Sequence, residues 1–596
     1  MAELDRRCGG AGPPSGRGLL EEKKLNKRIL LAVSAGLPLL VFGLTTTPVL
    51  LAGQSYEEVT DERLLSPDSE SWLSYRGNYS GWGYSPLDQI DTSNVSELSP
   101  VWSFSTGVGS GHEAPPIVND GIMFVTTPRN QLFALDARSG DLLWRYQHEL
   151  PEDLVALHNT NRGAALFDDK VFMATLDARV VALDAVSGEV VWDTSVADNS
   201  SGYYMTLAPL TARGKVMVGV SGGELGIRGF VVAIDTDTGS EVWRTYTVPG
   251  PGEAGNDTWP AGAWRTGGAP VWLTGHFDPV LGLTYWGTGN PGPWIGDQRP
   301  GDNLYSNSVL ALDVDTGEIR GHHQYHWNGS WDWDEVSTPL LIDVRRSGRT
   351  IPALVHPGRN GYLWILERQA NGIGFVDAEP FVYQNVFTSI DPETGRPAYD
   401  ELRKPGTGSR AEFCPSLWGG KDWPPAAYNP NTRLLYIPAN NNLCGAITGR
   451  EPVYVPGRSF TGASTEMTVR GTADHIGEIQ AWDLDRGEKV WTQEFESHNW
   501  GPVLTTGGGL VFAGGTSDRF FRALDAVTGE ILWQHRTNSG VIGVPTTFAV
   551  DGIQYVAVQS GWGVDAASMT RRIDADRGTS TFVPEGGVIW VFALDG

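Results

Sequence analysis

Five consecutive residues, Trp331-Asp332-Trp333-Asp334-Glu335, put three carboxylates and two indoles into one short segment. Burying acids so close together is costly unless a cation shares their charge. Asp332 and Asp334 stand two apart, the spacing that in a strand sends both side chains to one side. Two readings stay open on these residues alone: a metal-binding acidic patch and a solvated acidic loop. The segment falls in the second of two stretches, after Pro291 and around residues 322–335, where the chain departs from the spacing of the repeat described next. Polar-aromatic insertions of this kind are where sites are usually built.

Positioning such a patch needs a scaffold, and the scaffold is written as a repeat. Ala134-Leu135-Asp136 is followed by Ser139-Gly140-Asp141 and then Trp144. The frame recurs with Asp184 and Trp192, Asp235 and Trp243, Asp483 and Trp491, and Asp525 and Trp533. A sixth copy at Ala311-Leu312-Asp313 has Gly321 in place of the tryptophan, and residues 361–372 read as a worn seventh. In each unit a short strand ends at the Asp, whose carboxylate can accept turn N–H groups. The Gly supplies positive φ, and the next strand leads to a Trp suited to wedging between sheets. Units about 40 to 50 residues apart, each a few short strands, predict an all-β propeller with tryptophan-docking repeats. The chain stops at Ala593-Leu594-Asp595-Gly596, half a repeat, and Pro100-Val101-Trp102 offers the missing half. The expectation is eight blades with the ring closed by N- and C-terminal strands, which leaves no sheet edge exposed. Seven blades with an irregular insertion is the alternative.

Composition agrees with one large repetitive domain. The 596 residues include 75 Gly and 23 Trp, and the net charge of −26 excludes a nucleic-acid partner. Lys23, Lys24, Lys27 and Arg28 precede an apolar run over residues 29–44, followed by small and polar residues. This pattern predicts an N-terminal export signal over residues 1–53, or a membrane anchor if uncleaved, before a propeller domain over 54–596. Gly36, Pro38 and Gly43 interrupt the run and favour the cleaved signal. Arg6 and Arg7 lie too far upstream to form a twin-arginine signal. Cys8 precedes the run, leaving Cys414 and Cys444 as an exported pair that an oxidising compartment would join. Two unrelated buried thiols are the alternative.

From about Ser71 to Gly596 the chain resembles the pyrroloquinoline quinone (PQQ)-dependent alcohol dehydrogenases, the methanol dehydrogenase-like quinoproteins. The motifs that carry the resemblance stand in order: Gly111-His112-Glu113, Asn161-Arg162-Gly163, Ser221-Gly222-Gly223-Glu224-Leu225-Gly226, Gly287-Thr288-Gly289-Asn290-Pro291, Trp331 to Asp334, and His356-Pro357-Gly358-Arg359-Asn360-Gly361. By that resemblance Glu224, Asn290 and Asp332 are metal ligands, a hard oxygen set for a hard cation. Asp332 is also the base that takes the alcohol proton, and Arg359 contacts the quinone oxygen near the reacting carbon. Trp272 is the platform on which the flat cofactor stacks. Glu113, Arg162, Thr206, Ser221 and Trp500, with Gly222, Gly223 and Asp422, surround it. Gly561 and Trp562 are a weaker match near the substrate.

The resemblance implies that the metal polarises the quinone carbonyl while Asp332 removes the hydroxyl proton and hydride leaves the alcohol carbon. Family members that use lanthanides carry a second aspartate two positions after the catalytic one, and Asp334 stands there. An extra carboxylate suits a trivalent ion better than Ca²⁺, so a lanthanide is expected, with Ca²⁺ as the alternative. No Cys-x-x-Cys-His occurs, so a separate c-type cytochrome is the expected electron acceptor, in the periplasm. A small alcohol is the expected substrate, and a homodimer is one open assembly.

Two departures stand out. Many relatives place adjacent cysteines, whose disulfide covers one face of the quinone, where this chain has Ala156 and Leu157. Asp422 occupies a position where some relatives have Asn. Cys414 and Cys444, by contrast, match the family's structural disulfide. The rival functions are a quinoprotein for a sugar, polyol or polymer alcohol, and a non-catalytic propeller scaffold.

Overall fold

A computed structural model describes residues 56–346 and 348–594. The export signal expected over residues 1–53 lies outside the described residues, as do Asp595 and Gly596 of the terminal half-repeat. The described chain is all-β: strands dominate, with α-helices only at Asp61–Leu65 and Val564–Arg577. No helix among the described residues is long and apolar enough to cross a membrane.

Each repeat is an antiparallel meander. The first runs Ile117–Asn119, Ile122–Thr127, Gln131–Asp136 and Leu142–Gln147, each strand pairing with the next. Eight sheets of four or five strands recur along the described chain. The last combines Thr546–Val550, Ile553–Ser560 and Val588–Leu594 with the N-terminal strand Leu98–Ser105, which pairs antiparallel with Val588–Leu594. The worn copy lies within a regular sheet, where Tyr362–Gln369 turns back into Gly372–Pro380.

The repeated Asp-to-Trp frame explains how one sheet is fastened to the next. Asp136 Oδ1 accepts from the N–H groups of Arg138 and Ser139, and Gly140 takes φ 77° to close the turn. The tryptophan then reaches the following repeat. Trp144 Nε1 donates to the Ala185 carbonyl at 3.1 Å, Trp192 to Thr236 at 2.9 Å, and Trp243 to Val314 at 3.0 Å. Each indole lies on the turn glycine of that next repeat. A Cβ at Gly188 would stand 2.6 Å from the Trp144 ring, and one at Gly140 2.6 Å from Trp102 of the N-terminal strand. Glycine is therefore required twice over, for its φ and for the indole it carries. Where the sixth copy lacks the tryptophan, Gly321 packs against the backbone of Gly372 instead.

Insertions depart from the meander. Residues 441–476 leave the sheet of Leu434–Asn440 and Gly477–Asp483 and contribute to a separate sheet of Arg410–Phe413, Leu443–Gly449 and Ala463–Val469. The Cys414–Cys444 disulfide is formed and ties that sheet together. Helix Val564–Arg577 lies in the insertion between Ile553–Ser560 and Val588–Leu594.

Candidate active site

The residues singled out by sequence fall at one end of their sheets for a topological reason. Glu113, Arg162, Thr206, Trp272, Asp332, Asp334, Asp422 and Trp500 each lie shortly before the first strand of a sheet. Ser221 to Glu224, Asn290 and Arg359 each lie shortly after a second strand. In an antiparallel pair the start of one strand and the end of the next share an edge. Backbone bonds lock these connections to one another: Arg162 N–H donates to the Thr206 carbonyl and Ser221 N–H to the Tyr204 carbonyl, both at 2.8 Å.

Arg162, Thr206, Ser221, Gly222, Glu224, Trp272, Asp332, Asp334 and Arg359 meet around a cavity of about 330 Å³. One wall is a buried polar chain. Arg162 Nε stands 2.9 Å from Glu113 Oε2, its Nη1 donates to Thr206 Oγ1 at 2.6 Å, and Thr206 lies 3.3 Å from Ser221 Oγ. Burial lifts the Glu113 carboxyl to about 7 against the opposing pull of Arg162. Trp272 presents a flat ring near two cations, 4.9 Å from the Arg162 guanidinium and 5.7 Å from that of Arg359.

Opposite charges interlock on the other wall. Trp272 Nε1 donates to Asp334 Oδ2 at 2.6 Å, and Asn290 N–H donates to Asp334 Oδ1 at 2.5 Å. Asn290 Nδ2 donates to Asp332 Oδ1 at 3.0 Å. Arg359 donates to the Asp332 carbonyl at 2.8 Å and pairs with the Asp422 carboxylate. Burial and the neighbouring carboxylates push Asp332 well above the usual range against Arg359, and burial raises Asp334 as well. Glu224 is driven to about 7 by burial and by Asp334. Among the described residues the buried Asn290 Oδ1 has no hydrogen-bond partner.

This donor set fits a hard cation: three carboxylates pressed toward their neutral forms, and one amide oxygen with nothing to accept. The three carboxylates line the cavity, with Asn290 behind them, and the groups do not converge on one point. Among the described residues no three His, Cys, Asp or Glu side chains are gathered closely enough to hold an ion by themselves.

Several placements differ from the sequence reading. Residues 331–335 form no strand; Asp332 takes φ 63°, and this turn brings its carboxyl to the cavity beside Asp334. Glu335, the third acid, is buried away from it, accepting from the Arg359 N–H and lying 2.7 Å from His356 Nε2. Glu113, Asn290 and Asp422 stand one contact behind the wall. Gly223 packs against Pro270, where a Cβ would meet ring carbons at 2.9 Å. Trp500 is fully buried, edge-on to Trp418, and does not line the cavity. Trp562 packs on His498, and Gly561 backs onto the His112 ring. Leu157 lines the cavity and is 46% exposed.

Sequence reading missed His158, Trp294, Leu417, Trp418, Asp565 and Arg572, all of which line the cavity. His158 Nε2 lies 3.5 Å from Asp565 Oδ1. A signal for the helix carrying Asp565 and Arg572 existed: residues 564–577 contain neither Gly nor Pro in a Gly-rich chain.

Comparison with known proteins agrees with this geometry. The family described as PQQ: Glucose/ethanol/alcohol dehydrogenase, beta-propeller domain matches residues 72–374 and 492–556. The chain is 38% identical to the quinoprotein alcohol dehydrogenase PedH of Pseudomonas putida, over 94% of this chain and 97% of that protein. It is 38% identical to the lanthanide-dependent methanol dehydrogenase of Methylacidiphilum fumariolicum, over 86% of this chain and 88% of that one. A solved europium-containing methanol dehydrogenase superposes with a TM-score of 0.84 at 37% identity, covering 89% of this chain and all of that one. By its repeats, its cavity and these likenesses, the chain belongs to the PQQ-dependent β-propeller alcohol dehydrogenases.

Proposed function

We propose that the cavity binds PQQ on Trp272 beside a lanthanide ion and oxidises an alcohol to its aldehyde. Supporting this reading is one observation above the others: the second aspartate, Asp334, is held between Trp272 Nε1 and the Asn290 N–H on the cavity wall. Glu224, Asn290, Asp332 and Asp334 would hold the ion, and the three carboxylates favour a trivalent one over Ca²⁺. Bound there, the quinone and the ion would supply the two-electron oxidant for the alcohol carbon.

The chain's own groups do the rest. Asp332 Oδ1 is engaged by Asn290, which leaves Oδ2 to accept the hydroxyl proton. Arg359, fixed by the Asp332 carbonyl and by Asp422, offers positive charge where negative charge develops. Arg162, Thr206 and Ser221, braced by Glu113, present polar groups to the cofactor rim. Trp294, Leu417 and Trp418 exclude water from the same cavity. The eight sheets form an eight-bladed ring closed by the pairing of Leu98–Ser105 with Val588–Leu594. Residues 1–53 export the propeller to the periplasm, where a separate c-type cytochrome takes the electrons.

The experiment is a dye-linked assay on protein loaded with PQQ and either La³⁺ or Ca²⁺, using short alcohols alongside sugars and polyols. Faster oxidation of a short alcohol with La³⁺ supports the proposal. Preference for a sugar or polyol would move the substrate class to the alternative, and no turnover with any alcohol would overturn the catalytic reading.

A further inference from the structure

A second, much smaller cavity of about 30 Å³ lies apart from the active-site cavity. Its lining is unusual in sign. Arg76 is only 2% exposed; its Nη2 donates to the Ala426 and Val503 carbonyls, while among the described residues Nε and Nη1 have no partner. Two further residues of the lining, Tyr75 and Trp423, carry buried donors, Oη and Nε1, that are likewise unpartnered among the described residues. Lys421, also 2% exposed, donates to Ser337 Oγ and the Asp422 carbonyl, both at 2.8 Å, leaving one ammonium donor.

Among the described residues no carboxylate lines this cavity. The nearby acids are engaged elsewhere: Asp422 with Arg359, Glu335 with His356, and Glu113 with Arg162. Burial depresses Arg76 to about 10, opposed only by the Tyr75 hydroxyl, and depresses Lys421 to about 7. A buried guanidinium with no counter-charge is costly, and unpaired buried donors add to that cost. One water accepts only about two hydrogen bonds and must place two of its own, whereas an anion accepts from every donor and needs none in return.

We propose that this cavity is a binding site for one small monovalent anion of halide size, held by Arg76, Tyr75, Trp423 and Lys421. A cavity of this size admits an ion such as chloride or bromide. The anion supplies the missing counter-charge and fixes Trp423, whose ring lies 5.1 Å from the Arg162 guanidinium of the active site. None of its lining residues also lines the active-site cavity, so its test does not depend on the catalytic proposal.

The test has two arms on the full-length protein. Crystals grown in sodium bromide are expected to show an anomalous peak in this cavity within hydrogen-bond reach of Arg76. Thermal unfolding at fixed ionic strength is expected to shift upward, saturably, as chloride replaces gluconate, and Arg76→Met should remove that shift. Should Arg76→Met fail to fold, the bromide peak decides alone. A cavity without anomalous signal, or wild-type unfolding that is the same in chloride and gluconate, would overturn the proposal.

Discussion

Trp272 and Asp334, 62 residues apart, share a hydrogen bond of 2.6 Å that joins the flat floor of the cavity to its second acid. The indole is thus both a surface for a planar ring and the donor that orients a carboxylate. Trp272→Phe keeps the surface and deletes the donor. Partners that orient a ligating carboxylate typically contribute about 10- to 100-fold in metal affinity. The expected outcome is weaker lanthanide binding by roughly that factor with the fold unchanged, read by metal titration and far-UV circular dichroism.

Asp334→Ala removes a carboxylate whose two oxygens each accept one hydrogen bond, from Trp272 and from Asn290. The loss should weaken La³⁺ activation more than Ca²⁺ activation, because the added charge matters more to the trivalent ion. Equal losses for both ions in paired titrations would contradict the metal assignment.

His158 and Asp565 carry a prediction about pH. Burial pushes His158 down, but the Asp565 carboxylate overrides it and raises the imidazole to about 9. A raised cationic pKa stabilises the fold fully below the unfolded value of about 6.5, and the contribution fades as pH rises through about 9. The pair is partly exposed, so screening limits it to about 1 kcal/mol or less. In an NMR titration Asp565→Asn should lower the His158 midpoint, since the main partner that raises it is removed and only Glu224 remains to oppose burial. An unchanged midpoint would contradict the pairing.

The fastening of one sheet to the next can be tested at Gly188. Its φ of 73° penalises a side chain, and so does the Trp144 ring, which an added Cβ would meet at 2.6 Å. Gly188→Ala should destabilise the protein by about 1–3 kcal/mol in chemical denaturation. Gly214→Ala, which has positive φ but open space, should cost less; the difference isolates the indole contact.

Legibility from sequence followed the range of the interactions. The Asp turn and its glycine are local, and the tryptophan repeats with them, so the strands and their docking residues could be read from spacing. Asp332 and Asp334 were readable as a pair, but through φ 63° at Asp332 rather than through strand spacing. His158 and Asp565 lie more than 400 positions apart and meet only because connections of different sheets border one cavity. The helix that carries Asp565 was marked by its lack of Gly and Pro, but nothing local marks the pairing. Trp500, matched by resemblance, is fully buried and lies edge-on to Trp418.

The most direct test of the central claim is cofactor retention. Apoprotein would be incubated with PQQ and either La³⁺ or Ca²⁺, freed of unbound cofactor, and examined for quinone absorbance. Retention that requires metal, stronger with La³⁺ and reduced in Asp334→Ala, is the predicted result. Absence of retained quinone with either ion would contradict the assignment of this cavity as the PQQ and metal site.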